Sequence, residues 1–154
     1  MIFRKATNND IDKINELFYE LDTDAINAQP EHFQRGCRSF EYLSGLINGE
    51  SSDFILAIAD NNIIGFSLLL EKTTPDISLL VSHKIAYIQD FIVTKSYRNK
   101  GVGAALMMQS KQWAKDRNAD YLRLSVLPEN KDAQRFYTRH GLYEQMITME
   151  CSLM

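Results

Sequence analysis

The chain has 154 residues, 45% of them hydrophobic and 24% charged, with a formal net charge of -3. That composition excludes a disordered chain, suits one domain with a core of its own, and does not suggest broad nucleic-acid binding.

Ile2 to Ala6 reads as a short first strand, and Thr7-Asn8-Asn9-Asp10 as a cluster of capping residues. Behind it Ile11, Ile14, Leu17, Phe18 and Leu21 recur at helical spacing, which predicts a helix over 9–21. The polar stretch from Asp22 to Arg38, with Pro30 and Gly36, reads as a loop. Ser39 caps a second helix through Asn48, stopped at Gly49. Residues 54–59 and 63–70 form a hairpin about a turn at 60–62. His83 to Val93 is a long strand, apolar enough to be buried on both faces. A helix then runs from 101 to 117, with Val102, Leu106, Met107, Trp113 and Ala114 on its inner side. A strand at 121–126 follows, so the crossover makes 83–93 and 121–126 a parallel pair. Asn130 caps a helix to His140, Gly141 closes it, and 142–149 is a last strand. With no repeats or linkers, residues 1–154 form one α+β domain on a mixed, mainly antiparallel sheet.

Cys37 and Cys151 lie far apart with no C-x-x-C spacing, which argues for reduced thiols and against a disulfide framework or zinc site. His32, His83 and His140 are too scattered to read as a metal site. The N-terminus lacks a signal-peptide core, and no apolar run approaches the roughly 20 residues that span a bilayer. A cytoplasmic protein without a membrane partner is expected.

The most informative stretch is 88–106, where an apolar run ends in the basic turn Lys95-Ser96-Tyr97-Arg98-Asn99-Lys100 and a helix opens at Gly101 and Gly103. Amides at a helix N-terminus lack internal partners and carry a positive end charge, so they bind phosphate. It is not a Walker A loop, because the lysine precedes Gly101 and Val102 follows it. It is not the dinucleotide fingerprint either, because Leu106 stands where the third glycine is needed. What remains is R-x-x-G-x-G after an apolar strand, which resembles the acyl-CoA loop of the GNAT-superfamily acetyltransferases. One helix and one strand later, Asn130, Ala133, Phe136, Tyr137 and Gly141-Leu142 resemble that superfamily's second signature. Taken singly, these residues also describe a plain capped amphipathic helix. The resemblance is specific over 85–142; before residue 80 it rests only on the order of elements.

The resemblance implies a single N-acetyltransferase domain with about four helices and a parallel strand pair splayed at its C-terminal ends. It implies acetyl-CoA as co-substrate, its pantetheine arm along Phe91, Ile92 and Val93. The diphosphate would sit on Asn99, Lys100, Gly101, Val102, Gly103 and Ala104, with Arg98 opening the loop. Asn130 would touch the pantetheine or phosphate arm, and Tyr137 would lie beside the thioester sulfur. Asn99 departs from the superfamily's frequent glycine after the arginine and asks for a compatible backbone there. A homodimer is compatible with the superfamily, although no sequence feature requires one.

Chemistry narrows the roles. An alkyl amine with pKa ~10.4 is almost wholly protonated at pH 7, and only its neutral form attacks a thioester. A site must therefore take a proton from the ammonium and return one to the CoA thiolate. Tyr137 is a sensible acid, against a packing role for its ring. The strand 87–93 resembles that of diamine acetyltransferases, which tend to carry an acidic pair there; here only Asp90 is acidic, beside Gln89. Asp90 is either base or amine anchor, or else a structural carboxylate. Because side chains alternate along a strand, only one of Gln89 and Asp90 is expected to face a given side. Tyr19, Glu20, Asp22, Asp24, Glu31, His32 and Phe33 suggest a cationic acceptor, a small-molecule or protein amine, although they also suit a solvated helix end. A CoA-binding sensor without turnover is the alternative from another class.

Overall fold

The computed structural model describes residues 1–154. A five-stranded sheet runs in the order of the sequence: β1 (Ile2–Lys5), β2 (Ser52–Ala59), β3 (Asn62–Thr73), β4 (Lys84–Val93) and β5 (Tyr121–Arg123). The first three pairings are antiparallel and β4–β5 is parallel. Asp60 and Asn61, both at positive φ, close the β2–β3 hairpin with the twist that matches its strands.

Helices α1 (Ile11–Ala28) and α2 (Phe40–Asn48) cover one face, and α3 (Val102–Asp116) and α4 (Lys131–Arg139) the other. Under α1 and α2, Ile14, Leu17, Phe18 and Leu43 pack on Phe54, Leu56, Phe66 and Leu68. The rings of Phe18, Phe54 and Phe66 meet at 5.0–6.3 Å. Beneath α3, Val102, Leu106, Met107 and Trp113 pack on Ile55, Ile64, Leu69 and Ile88. Each such side chain, fully buried, stabilises the fold by roughly 1.5–3 kcal/mol.

Local signals explain the helix starts. Thr7 and Asp10 form a capping box before α1, and Arg4 holds the Asp10 carboxylate through two hydrogen bonds of 2.8 and 2.9 Å. Ser39 Oγ accepts from Tyr42 N at the start of α2. No helix is long and apolar enough to cross a membrane.

Four expectations change. The first helix continues through Asp22 to Ala28, because nothing in that polar stretch breaks a helix before Pro30. The strand 83–93 is not buried on both faces: Gln89 is exposed, and Tyr87, Asp90 and Phe91 are half-buried. β5 stops at Arg123 instead of 126. The strand expected at 142–149 does not form; from Tyr143 onward no main-chain group bonds another main-chain group. The sheet therefore ends at β5.

Candidate active site

The site is organised by the separation of the two parallel strands. β4 and β5 pair only as Ile85–Tyr121, Ala86–Leu122 and Tyr87–Arg123, while β4 runs on to Val93. Six residues of β4, roughly 20 Å of strand, thus have an open edge on that side. At its far end Thr94 N donates to Ile64 O, and a Cβ on Gly65 would lie 2.5 Å from Ile92 O, so both groups face β3. By alternation, the main-chain groups of Phe91 and Val93 point into the gap. The Val93 carbonyl there accepts a 2.8 Å hydrogen bond from Arg98 Nε. Of the three residues the resemblance assigned to the pantetheine arm, Ile92 has its carbonyl committed to the sheet.

Beyond Val93 comes the phosphate-type turn. The amides of Asn99, Lys100, Gly101, Val102, Gly103 and Ala104 donate to no acceptor in the chain; Ala105 N makes the first helical bond, to Gly101 O. Asn99 (φ 59°) and Gly101 (φ 84°) both adopt the left-handed conformation that curls this run of amides around one point. The two glycines act differently. Nothing lies within 4 Å of where a Gly101 Cβ would be, so Gly101 serves the backbone angle, whereas a Cβ on Gly103 would press the Phe136 ring at 3.3 Å. Gly103 lets α3 approach α4.

Arg98 is not a free cation. Besides Val93 O it reaches Asp24 at 3.3 Å and Glu20 at 3.5 Å. Glu20 also accepts from Thr94 Oγ1 and Lys95 N, so α1 braces the turn. Arg98 therefore positions the turn, and Lys95 and Lys100, which make no ion pair, are its available cations.

Across the gap, α4 presents Phe136 and Tyr137. The Tyr137 ring lies 6.2 Å from Phe91 and 5.5 Å from Phe136. Burial pushes its phenol up to about 12, and its hydroxyl makes no hydrogen bond within the chain. Asn130 caps α4 by accepting from Ala133 N at 3.1 Å, which leaves its NH2 group without a partner in the chain.

Asp90 lies on the other side of β4, in a cavity of about 420 Å3 lined by Phe18, Gly36, Cys37, Arg38, Tyr42, Gln89 and Asp90. Gln89 and Asp90 both face it, contrary to the alternation expected of a regular strand. Leu69 pairs with Ile88 but Leu68 with Asp90, so Gln89 is a β-bulge residue and the bulge resets which side the chain faces. Gln89 donates to Tyr42 Oη at 3.3 Å. Burial pushes the Asp90 carboxyl above its ordinary range; the Arg38 charge opposes this but is itself held by Asp22 through bonds of 2.7 and 2.9 Å. Arg38 and Tyr42 were not singled out in the sequence as site residues, and Phe18 and Cys37 were read only as a helix-face residue and a reduced thiol, because only the tertiary fold brings α1, the loop before α2, and β4 together.

The acidic stretch of α1 is largely neutralised. Asp22 pairs with Arg38, Glu20 and Asp24 with Arg98, and His32 with Glu150, while Arg35 lies 3.7 Å over the Tyr19 ring. Asp90 faces its cavity with no ion pair of its own, because Arg38 is held by Asp22.

This arrangement has relatives. Residues 12–142 match the model of the Acetyltransferase (GNAT) family. The chain belongs to that family. Its members take their acetyl group from acetyl-CoA. An uncharacterized N-acetyltransferase of Methanocaldococcus jannaschii is 25% identical over 145 residues; the match covers 94% of this chain and 61% of the relative, so the chain spans about three fifths of that protein. Among solved structures, a mutant of the BH1408 protein from Bacillus halodurans superposes with a TM-score of 0.95 at 24% identity, each chain covered completely. The aminoglycoside N-acetyltransferase AAC(6')-Iy, solved in complex with CoA, superposes at 0.73 with 16% identity over 98% of each chain. These last two are likenesses of fold.

Proposed function

We propose that this protein transfers the acetyl group of acetyl-CoA to a primary amine of a small molecule or a protein. The observation that carries the reading is the run of six unpartnered amides, Asn99 to Ala104, set at the end of an open strand edge with a phenol beside it. The donor set fits the group. The amides and Lys95 and Lys100 suit a diphosphate, the Phe91 and Val93 main chain suits an amide-bearing arm, and CoA occupies a family fold-neighbour. Bound there, acetyl-CoA supplies a thioester carbonyl as electrophile and a thiolate as leaving group.

The chain's own residues do the rest. The cavity on the α1 side receives the acceptor, its ammonium drawn to Asp90, whose raised pKa brings the carboxylate nearer to a working base. Neutral amine then attacks from that side while the strand edge holds the acyl group, so orientation supplies much of the acceleration. Tyr137, un-ionised at neutral pH, donates its proton toward the departing sulfur. A phenol near 12 is a reluctant donor to a thiolate of pKa ~8.5, so the proton moves as the C–S bond breaks and not before it. A cavity of this volume accommodates a small polar amine or the end of a lysine side chain.

The test is an acceptor panel of polyamines, amino sugars, aminoalkyl phosphonates and lysine peptides, followed by release of free CoA thiol. Amine-dependent release from at least one class is expected. Tight CoA binding with no release from any class would instead make the protein a CoA sensor.

A further inference from the structure

The cavity beside Asp90 holds charges of both signs, and they are not equally free. Asp90 is the one carboxylate in its lining, and Arg38 is the one cation. The Arg38 guanidinium is locked on two sides. Its Nη1 and Nη2 donate to the two carboxylate oxygens of Asp22 at 2.7 and 2.9 Å, and its central carbon lies 4.0 Å from the centre of the Phe18 ring. Asp22 Oδ2 also accepts from Gly36 N at 3.1 Å, which ties the carboxylate to the loop before α2. The pair is largely covered, with 23% of the Arg38 side chain and 12% of the Asp22 side chain exposed. A planar fork held at its edge and over its face does not swing across to neutralise Asp90. Of the two partners, Arg38 lines the cavity and Asp22 does not, so a ligand meets the positive member.

No other acid of α1 restores the balance. Glu20 and Asp24 are engaged with Arg98 at 3.5 and 3.3 Å, on the phosphate-type turn. The neutral groups of the cavity add donors. The Arg38 Nε–H, and the second N–H of each terminal nitrogen, have no acceptor in the chain. Tyr42 Oη accepts from Gln89 Nε2 at 3.3 Å and keeps its own proton to give. Such a wall calls for oxygen atoms with lone pairs and not for another ammonium.

We propose that the acceptor is a small amine with a single positive charge, whose other end carries oxygen acceptors as a hydroxyl or a carboxylate. The Arg38–Asp22 pair selects against diamines and polyamines. This rests on the acetyl-transfer reading and adds the charge class of its substrate. Asp90 takes the ammonium, and the free N–H groups of Arg38 and the Tyr42 hydroxyl take the oxygen end. A second ammonium finds no second carboxylate and meets the guanidinium instead, so the discrimination comes from repulsion as much as from attraction.

The test is release of CoA thiol with putrescine and cadaverine, each beside the amino alcohol and the amino acid of equal chain length, with lysine peptides as a separate arm. The wild type is expected to favour a single-charge amine over its diamine by at least about 10-fold in kcat/KM. The ratio is read because damage to the fold lowers both of its members alike. Arg38→Gln removes the cation and leaves Asp22 bare, so the ratio is expected to move toward the diamine by about 10-fold. Asp22→Asn leaves the guanidinium uncompensated and is expected to move the ratio the other way, most of all for the amino acid. Should one variant fail to fold, the wild-type ranking and the opposite variant still decide. A wild-type preference for a diamine, a ratio that neither variant moves, or release with lysine peptides alone would overturn the proposal and leave acetyl transfer standing. No release with any amine would overturn both.

Discussion

Asp90 is a carboxylate that the fold holds at a cost. Its folded-state pKa lies above the unfolded one because burial disfavours the charge. The stability associated with it is therefore full below about pH 3.8 and is lost as pH rises through the folded pKa. At pH 7 the native state carries that loss, and Asp90→Asn removes it. The variant is thus expected to melt higher than wild type at neutral pH while kcat falls about 10²-fold or more and the acidic limb of the pH–rate profile disappears. A lower Tm with unchanged kcat would make Asp90 structural. Tyr137 is shifted in the same direction by the same cause, burial, and so stays protonated at neutral pH. Tyr137→Phe is expected to lower kcat about 10²-fold with little change in the KM for acetyl-CoA. In the wild type, no loss of rate from this group is expected until pH approaches about 12.

Among the elements, α3 carries the most responsibility, because its N-terminus forms the turn and its body anchors the turn to the sheet. Gly101→Ala introduces a Cβ into open space, so its whole effect is the left-handed angle, worth about 1–2 kcal/mol. The expected outcome is a KM for acetyl-CoA raised about 10-fold with a smaller change in kcat. The body of α3 is pinned by buried Asp53 on β2, which accepts from Trp113 Nε1 at 2.7 Å and pairs with Arg117 and Lys5 at 3.2 Å. Asp53→Ala leaves a buried indole N–H and Lys5 unpaired, with Arg117 keeping only Glu71 at 3.7 Å, and is expected to cost about 2–3 kcal/mol in chemical denaturation. The helices, the hairpin and the turn were legible in the sequence because each has a local cause: apolar spacing, a capping side chain, a left-handed Asn or Gly. Three features had no local cause to read. The bulge at Gln89 comes from register against β3, the Arg38–Asp22 wall from loop packing, and the unpaired tail from the lack of a strand beside it within one chain.

At the scale of the whole molecule, the sheet separates two tasks. The α1–α2 face carries the cavity with Asp90, proposed to take the acceptor, the α3–α4 face carries the turn and Tyr137, and the open edge of β4 lies between them. The net charge of -3 says little about this, because Glu20, Asp22 and Asp24 of α1 are paired with Arg98 and Arg38 and only local charge shapes the site. The residues carrying the acyl-CoA resemblance are those whose backbone leaves its amides free and turns left-handed, and for that reason they stood out as glycines and an arginine in the sequence. The wall of the Asp90 cavity uses ordinary side chains from three segments and gave no such signal. The most direct measurement is a titration of the isotope-labelled protein with CoA, following the backbone amide resonances of residues 99–104. Large downfield shifts of these amides, saturating with one CoA per chain, are expected. Saturable binding that leaves them unmoved, or no binding at all, would contradict the placement of the diphosphate on this turn and the enzyme built around it.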